Sequence, residues 1–393
     1  MTLINKVINT TNSLSVSCEN VFNGIEDCAK RAEALAKQIL KHSSDKDPSS
    51  FRLRKSPSME TIYIERETLG NGAFSEAINI DRYRHGTGEY SASSVYKCIK
   101  PISDQSQHSI SRADQVRSLE REWAVSSAIP EDKKSNLALP FKADYDPTTK
   151  EICGLHVKKY GPSLDRIDHV DNPLEFFTRQ YTFAAKGLKN LHDCGYTHRD
   201  IHPGNIFSET ADLSAALGDF GCSSNDPKEK IRGQIRLLPQ EFKKRGKIID
   251  APFHPSADIF AFGKAMLETL NEKINLHYNK LFNLDLTPVQ SPNTVNENVE
   301  KLLAANCNQN LASAYNDYAT IAINCSLLFA QTRSSIQEAI SELEALSYSF
   351  NAPSENIDPS QKSAQKISRL ALTETRLERA YSQSSVVPNR YAY

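Results

Sequence analysis

The segment THRDIHPGNIF at 197–207 restricts the possible folds and functions of this chain more than any other segment. It follows an apolar helical stretch, and it places Asp200 five residues before Asn205. Asp200 offers a carboxylate that can accept the proton of an attacking hydroxyl group, and Asn205 offers an amide oxygen suited to Mg²⁺. The segment LGDFGCS at 217–223 adds the carboxylate of Asp219, which can also bind Mg²⁺. Asp-Phe-Gly is a common tripeptide, but directly downstream of Asp200 it is hard to dismiss as coincidence. Together the two segments indicate a metal-assisted reaction in which the Asp200 carboxylate can accept a proton.

Two glycines lie upstream, in the segment LGNGAFSEA at 69–77. Gly70 and Gly72 fall between two predicted strands, and glycines there let backbone N–H groups approach phosphate oxygens without an intervening Cβ. Ser75 replaces the third glycine of the G-x-G-x-x-G pattern. The segment alone is a weak signal, because an ordinary hairpin that contains glycines has the same appearance.

A lysine stands among apolar residues in the segment VYKCIK at 95–100. Alternation along a strand points Val95, Lys97 and Ile99 to one face, where a lysine needs an anionic partner. Phosphate oxygens and a glutamate would supply one. Lys100 is the competitor, but it faces the other way and precedes a proline, so the pattern favours Lys97. A solvated lysine at a sheet edge is the structural alternative.

The glutamate comes from the segment SLEREWAVSSAI at 118–129. Helical spacing places Glu122 within an inward stripe and Glu120 outside it. An inward glutamate suits an ion pair with Lys97, whereas a solvated glutamate on an exposed helix is the alternative reading. The residues that share the stripe with Glu122 are Leu119, Val125 and Ile129.

Composition restricts the partners and the compartment. The chain has 393 residues, a formal net charge of -1 and 24% charged residues. Charges so closely balanced give no electrostatic footprint for nucleic acid or an anionic membrane, so neither is an expected partner. The eight cysteines form no C-x-x-C pair and no cluster with zinc-ligand spacing. With no bilayer-length apolar run and no ordinary secretory signal, the sequence predicts a cytoplasmic protein with reduced thiols.

Changes in sequence pattern divide the chain into three parts. Residues 1–60 predict an extension with one helix and a linker, and residues 348–393 predict a polar extension with one helix. Between them, a strand-rich stretch precedes a helix-rich one, with helical periodicity dominant from about residue 114. This order predicts an α+β fold with two lobes, an N-lobe at 61–157 and a C-lobe at 161–347. Helical periodicity is clearest at 173–193, 256–271, 297–329 and 334–347.

Over residues 61–347 these motifs together resemble the eukaryotic-type protein kinase family. The resemblance implies a bilobal kinase fold and ATP with Mg²⁺, or Mn²⁺ in its place, as cofactors. It also implies that Lys97 pairs with the α- and β-phosphates and with Glu122. By the same resemblance Asp200 is the catalytic base, while Asn205 and Asp219 hold the metal.

The segment LHVKKYGPSL at 155–164 resembles the hinge of that family, and its Gly-Pro-Ser-Leu is similar to the casein kinase 1 branch. The resemblance implies that Val157 is the gatekeeper and that backbone groups of Lys158 and Tyr160 meet adenine. Residues on both sides of the hinge would enclose the ring, namely Ala77, Val95 and Phe207.

Downstream elements extend the resemblance. LLPQE at 237–241 takes the place of the A-P-E element, which implies that Glu241 pairs with Arg333. SADIFAFG at 256–263 is similar to the element whose aspartate, here Asp258, braces the catalytic loop.

Two departures from the family leave the acceptor open. His202 stands where Ser/Thr kinases usually carry a lysine, and Gln234 stands where they carry a threonine. As a predicted catalytic residue, His202 would contact the γ-phosphate with less charge than a lysine when its imidazole is neutral. The motif His-Pro-Gly-Asn also appears in small-molecule kinases of the choline and aminoglycoside kinase-like families. The sequence favours a protein Ser or Thr hydroxyl as acceptor, with an amino-alcohol or sugar kinase as the alternative. A pseudokinase scaffold is a further alternative, which the intact set of Lys97, Glu122, Asp200, Asn205 and Asp219 disfavours.

Regulation and partners are less strongly signalled. The resemblance makes Arg199 the arginine that reads an activation-loop phosphate, for which Ser223 and Ser224 are candidates. The unusual loop and the Asn/Ser/Thr-rich N-terminus also resemble bacterial effector kinases delivered into host cells, which gives a host cytosol as the alternative location. The protein substrate stays unidentified. The flanking helices predicted near 15–42 and 361–382 would bind a regulator or pack on the lobes.

Overall fold

The computed structural model describes residues 52–55, 61–72, 74–84, 89–100, 110–209, 214–229, 238–244, 247–248, 252–327 and 330–351. The chain divides into two compact units. The first comprises Met1–Ser126 and Leu139–Lys159, and the second comprises Ser127–Ala138 and Tyr160–Tyr393. The two predicted flanking helices and Gln234 lie outside the described residues.

The first unit is built on a six-stranded antiparallel sheet with the strand order β1-β2-β3-β4-β6-β5. Helix α1 (Arg112–Ala128) belongs mainly to this unit. The three strands expected after residue 60 are present. Helical periodicity was expected to dominate from about residue 114, but two further strands, at 140–145 and 152–158, lie within that part of the chain. The strands are β1 (Arg52–Lys55), β2 (Thr61–Asn71), β3 (Ser75–Arg84), β4 (Glu89–Ile99), β5 (Pro140–Tyr145) and β6 (Ile152–Lys158).

Side chains alternate along β4, so the two faces of the sheet differ in chemistry. Tyr96 and Cys98 are fully buried in an apolar cluster. Lys97 points to the opposite face, where its strand partner is Leu155. On that face Leu155 packs against Leu119 of α1. The apolar cluster on the first face is completed by Tyr63, Ile78 and Ile80.

A polar network lies on the same face as Tyr96. The Tyr63 hydroxyl on β2 donates to Asp144 Oδ2 on β5 at 2.5 Å, and His156 Nε2 on β6 lies 3.1 Å from the same oxygen. These strands are not neighbours of one another except for β5 and β6, so the sheet must curl for β2 to meet them. The network thus connects widely separated strands within the first unit.

The second unit is mainly helical. Helix α2 packs against α7, and α3 packs against α6. The buried Tyr181 of α2 donates its hydroxyl to the Ala265 carbonyl at 2.8 Å, which ties α2 to α3. The helices are α2 (Pro173–Asp193), α3 (Pro255–Thr269), α4 (Asn275–Phe282), α5 (Pro292–Ala304), α6 (Gln309–Cys325) and α7 (Ile336–Asn351). A π-helical turn, Leu270–Ile274, joins α3 to α4, and short strand pairs are formed by β7 (Ile206–Ser208) with β8 (Ala215–Leu217) and by β9 (Lys243–Lys244) with β10 (Lys247–Ile248).

The helix predicted at 173–193 is confirmed, and those predicted at 256–271 and 334–347 are present with shifted ends. The helical structure predicted at 297–329 is also present, divided between two helices, α5 and α6. Asn306 adopts a left-handed conformation with φ of 58°, which ends the first helix. Asn308 then caps the second by accepting the Asn310 N–H.

The chain therefore has a mixed α+β architecture, as the sequence predicts. None of the cysteines in the described part of the chain forms a disulfide. Within those same residues, no helix combines the length and the apolar character needed to cross a membrane.

Candidate functional site

In the first unit, Lys97 and Glu122 form the ion pair expected from the sequence. Lys97 Nζ donates to Glu122 Oε2 at 2.6 Å, and the two side chains are only 12% and 2% exposed. The helical stripe that directs Glu122 inward is as predicted, since Leu119, Val125 and Glu122 are all buried whereas Glu120 is exposed. A pair so well shielded from water keeps a strong charge–charge attraction.

Strand register aligns the proposed nucleotide residues of this unit. Ala77 on β3 lies opposite Gly70 on β2 and opposite Lys97 on β4, so the three residues form one row across the sheet. Val95 pairs with Val157 on β6. Because alternate residues of β4 share a face, Val95, Val157 and Ala77 line the same face as Lys97. Lys158, the next residue of β6, is exposed.

Of the two glycines, Gly70 lies near the end of β2 and Gly72 lies in the turn that leads to β3. A Cβ placed on Gly70 would meet no atom within 4 Å, and one placed on Gly72 would meet only the Ser75 carbonyl at 3.5 Å. The backbone N–H groups at these positions can therefore be approached from outside. Ser75 itself is buried at the start of β3.

In the second unit, Asp258 of α3 holds the loop at 197–205, which precedes β7, by hydrogen bonds to its backbone. The Asp258 carboxylate is fully buried and accepts the backbone N–H groups of His198 at 2.7 Å and Arg199 at 2.8 Å. It also lies 2.9 Å from His192 Nε2 at the end of α2. The bracing role that the sequence suggested for Asp258 thus has three hydrogen-bonding contacts behind it, and charge-assisted bonds of this kind are the strong ones.

His198 connects this loop to the segment that carries Asp219. Its Nε2 lies 3.0 Å from the Gly218 carbonyl, and its Nδ1 accepts the Asp200 backbone N–H at 3.3 Å. Burial lowers the pKa of His198, so the ring is neutral, with its hydrogen on Nε2. The ring therefore fixes the backbone of Asp200 against the residue before Asp219.

Asn205 is positioned by the same loop. Its Nδ2 donates to the Asp200 carbonyl at 2.8 Å, and its own carbonyl accepts the Gly218 N–H at 2.9 Å. Among the described residues, nothing donates to Asn205 Oδ1, which leaves this oxygen available to a cation. Asp219 has a left-handed backbone with φ of 61°, and its Oδ1 accepts the Gly221 N–H at 3.4 Å. Oxygen ligands of this type suit Mg²⁺ or Mn²⁺.

The described part of the chain contains no group of three or more His, Cys, Asp and Glu side chains that could hold a metal ion by themselves. A metal held by Asn205 and Asp219 would therefore need further oxygen ligands from phosphate groups and water. This is the usual arrangement for Mg²⁺ at nucleotides.

His202 lies beside Asp200 in the same loop. Its Nδ1 accepts the Gly204 N–H at 3.1 Å, and its Nε2 lies 3.9 Å from Asp200 Oδ2. The side chains of His202 and Asp200 are 19% and 17% exposed, so both remain accessible to a small group. The importance of Gly204 was missed by sequence reasoning, although its place directly before Asn205 was a signal.

Arg199 does not present a free guanidinium group. Its Nη2 donates to the Asp226 carbonyl at 2.6 Å, its Nη1 to the Glu229 carbonyl at 3.3 Å, and its Nε to Thr197 Oγ1 at 3.1 Å. The guanidinium carbon also lies 5.2 Å from the centre of the Phe253 ring. The phosphate-reading role that the resemblance gives to Arg199 would thus require these contacts to exchange.

Two further expected residues lie together in the second unit. The rings of Tyr160 and Phe207 have centroids 6.5 Å apart. They are brought together because Ser163 forms a bridge with Phe207, and the Gly161 N–H donates to the Ser208 carbonyl at 2.7 Å.

The expected pair between Glu241 and Arg333 is present. Arg333 donates through Nη1 and Nη2 to the two carboxylate oxygens at 2.7 and 3.0 Å. Its Nε donates to the Leu327 carbonyl at 2.6 Å, so the side chain, which is only 1% exposed, is satisfied on several sides. The contact of His192 with Asp258, by contrast, was not anticipated from the sequence.

Comparison with known proteins points in one direction. No family model matches the chain. Eukaryotic translation initiation factor 2-alpha kinase 1 of Plasmodium falciparum is 35% identical over 92 residues, which are 22% of this chain and 6% of that protein. The Raf homolog serine/threonine-protein kinase of Caenorhabditis elegans is 29% identical over 141 residues, which are 32% of this chain and 17% of that protein. Serine/threonine-protein kinase LATS1 of Mus musculus is 26% identical over 184 residues, which are 47% of this chain and 15% of that protein.

The matched segments thus span at most 17% of the length of these three relatives. All three are kinases by name, and two of them are named serine/threonine-protein kinases. At the general level, these similarities support a protein kinase.

Proposed function

We propose that this chain is an ATP-dependent protein kinase that transfers the γ-phosphoryl group of Mg-ATP to a Ser or Thr hydroxyl of a protein. In this proposal the fold is that of a two-lobed kinase, with the first unit as N-lobe and the second as C-lobe. The observation that carries it is the loop of the second unit, in which Asn205 donates a hydrogen bond to the Asp200 carbonyl. Asn205 directly, and Asp200 through the His198 ring, are also hydrogen-bonded to Gly218, the residue before Asp219.

The first unit supports the proposal independently. Lys97 is held by Glu122 on a largely buried face, in one row with Ala77 and Gly70. A lysine fixed in this way offers a localised positive charge to phosphate oxygens while its partner limits the number of side-chain conformations. Val95 and Val157 add an apolar surface on the same face, suited to a flat ring.

In the proposed reaction, the Asp200 carboxylate accepts the proton of the acceptor hydroxyl as its oxygen forms a bond to the γ-phosphorus. The bond between that phosphorus and the bridging oxygen of ADP breaks, and ADP carries away the electron pair. Asn205 and Asp219 would hold Mg²⁺, which supplies positive charge to the phosphate oxygens. Positioning and charge stabilisation therefore account for most of the expected catalysis.

The test is transfer from γ-labelled ATP to generic protein acceptors, compared with a panel of amino-alcohols and sugars. We expect Asp200→Asn to lower transfer by roughly 100-fold or more, since general base catalysis contributes about that much. ATP should still raise the melting temperature of this variant, because a ligand that binds the native state stabilises it. Unchanged turnover in Asp200→Asn would refute the assignment of the base.

Lys97→Ala and Lys100→Ala form a matched pair for the nucleotide half of the proposal. Lys97 contacts Glu122, whereas Lys100 lies just beyond the end of β4, where its backbone N–H donates to Gln115 Oε1. Lys97→Ala should lower transfer strongly and Lys100→Ala only slightly. The reverse order would show that the wrong lysine has been assigned.

A small-molecule kinase is the second candidate, favoured by the His-Pro-Gly-Asn wording of 202–205. Transfer to an amino-alcohol or sugar, with none to protein, would establish it. A pseudokinase scaffold would be indicated by the absence of any melting-temperature shift with Mg-ATP. We also propose that the protein acts in a cytoplasm, either that of its own cell or that of a host. The extensions at 1–60 and 348–393 would bind a regulator or pack on the lobes.

A further inference from the structure

The environment of His202 carries an inference that rests on the proposed function and extends it. The Gly204 backbone N–H donates to His202 Nδ1 at 3.1 Å. A backbone N–H can only donate, so Nδ1 must present its lone pair. The neutral ring then carries its hydrogen on Nε2, the atom that faces Asp200. The Gly204 peptide thus selects the tautomer of the ring.

The separation of Nε2 from Asp200 Oδ2 is 3.9 Å, beyond a hydrogen bond. Catalytic hydrogen bonds are often long in a protein without its substrates and shorten when the substrates bind. A small rotation of either side chain would close this gap, and both side chains are partly accessible. The Nε2–H group would then donate to Oδ2 and restrict the rotation of the Asp200 carboxylate, which takes the proton of the acceptor.

Gly204 also provides the space in which the ring lies. A Cβ on Gly204 would lie 2.8 Å from His202 Cε1 and 2.9 Å from Nδ1, and 3.3 Å from Asp165 Oδ2. The first two distances are too short for real contacts, so any side chain at this position displaces the ring. Gly204 does not have a positive φ, so its backbone can accept alanine, and the steric demand comes from His202.

We propose that His202 is a positioning residue for the Asp200 carboxylate and that Gly204 fixes His202 in the required tautomer and place. Histidine is matched to this role because it accepts through one ring nitrogen and donates through the other. A lysine ammonium group has three donors and no acceptor, so it could not take the Gly204 N–H. The residue pair at 202 and 204 therefore works as one unit next to the base.

The first test measures kcat and KM for phosphoryl transfer by variants of His202. His202→Ala should lower kcat roughly 10- to 100-fold, as expected for a misplaced catalytic group, with little change in KM for ATP. His202→Gln places an amide N–H near the former Nε2 and should recover part of kcat, whereas His202→Asn reproduces only the Nδ1 position and should not. His169→Gln, at an exposed histidine, is the matched control and should leave both constants unchanged.

The second test asks whether Gly204 acts through His202. Gly204→Ala should lower kcat about as much as His202→Ala, and the double variant should be no worse than His202→Ala alone. Additive losses in the double variant would overturn the link between Gly204 and the ring. A kcat for His202→Ala equal to that of the wild type would overturn the positioning role.

The tautomer is measured independently of activity by NMR of ¹⁵N-histidine-labelled protein, with the His202 signals assigned by their loss in His202→Gln. Nδ1 should be unprotonated and Nε2 protonated, and the opposite pattern would refute the selection by Gly204. Failure of the wild type to transfer phosphate to any acceptor would refute the proposed function and, with it, the positioning role. An active wild type with indifferent His202 variants would refute only the inference.

Discussion

Replacing Tyr63 with phenylalanine should weaken the first unit by a predictable amount. The Tyr63 hydroxyl donates to Asp144 Oδ2 at 2.5 Å inside the curled sheet, and His156 Nε2 lies 3.1 Å from the same oxygen. All three residues are buried. The exchange removes one donor from a buried carboxylate and keeps the aromatic ring that packs against Tyr96.

The size of the effect follows from the pKa of Asp144. Burial by itself raises this pKa, but hydrogen bonds from His156 and Tyr63 outweigh it and hold the pKa at about 2, below its ordinary value of 3.8. This shift corresponds to about 2 kcal/mol of folding free energy at neutral pH. A hydrogen bond to a charged group contributes about 1.5–3 kcal/mol. We therefore expect Tyr63→Phe to lower the free energy of unfolding by about 2 kcal/mol at pH 7.

The pH dependence has a definite sign. A depressed folded-state pKa gives stabilisation that is present above 3.8 and is lost as the pH falls through about 2. In Tyr63→Phe the pKa of Asp144 should return toward 3.8, so the difference between variant and wild type should shrink over this range. Burial also lowers the pKa of His156 from 6.5, so both proteins should lose stability below that pH, where the unfolded chain takes up the proton first.

The assay is urea unfolding followed by the fluorescence of Trp123, the single tryptophan of the chain. Trp123 packs against the cluster of Leu119, Ile152 and Leu155, so it reports on the first unit. Tyr145→Phe, at a tyrosine that is 45% exposed on β5, is the matched control. Equal unfolding free energies for the two variants at pH 7 would refute the reasoning, as would a difference that grows toward low pH.

Two further predictions concern the second unit. Asp258→Asn replaces an acceptor oxygen with an amide N–H group that opposes a backbone N–H of His198 or Arg199. Phosphoryl transfer should therefore fall about 100-fold, and the free energy of unfolding, measured by urea unfolding followed by circular dichroism, should fall by about 2–4 kcal/mol. Wild-type kinetics in this variant would contradict the bracing role. Arg333→Lys removes the two-pronged contact with Glu241 and should cost about 2–4 kcal/mol. Arg117→Lys, at an exposed pair, is its control and should cost almost nothing.

Local sequence was sufficient to predict much of the candidate site. Asp200 and Asn205 are a few residues apart in one loop, so their spacing already limits their separation. Helical and strand periodicity were sufficient to direct Glu122 and Lys97 inward, because each pattern depends only on near neighbours. The two helices at 292–325 could have been separated as well, since Asn306 and Asn308 are residues that end and begin helices.

The buried network could not be predicted in this way. Tyr63 is 81 residues from Asp144 and 93 from His156, and their contact depends on how strongly the whole sheet curls. His156 Nδ1 is buried with no hydrogen-bond partner in the described part of the chain, which fits a neutral ring whose hydrogen is on Nε2. Such a balance of burial and bonding exists only in the folded sheet, so a sequence pattern has no means to express it.

Backbone conformation at the site shows the same limit at short range. Gly218 and Gly221 lie close to Asp219, and a glycine adopts a positive φ more readily than any other residue does. Neither adopts one, whereas Asp219 does, with φ of 61°. Such a conformation costs a non-glycine residue roughly 1–2 kcal/mol. The Gly221 N–H bonded to its carboxylate and the tie between Gly218 and His198 offset this cost. Asp219, which is proposed to hold the metal, thus departs from local preference, as Arg199 with φ of 70° does in the neighbouring loop, and the surrounding hydrogen bonds keep the Asp219 carboxylate in place.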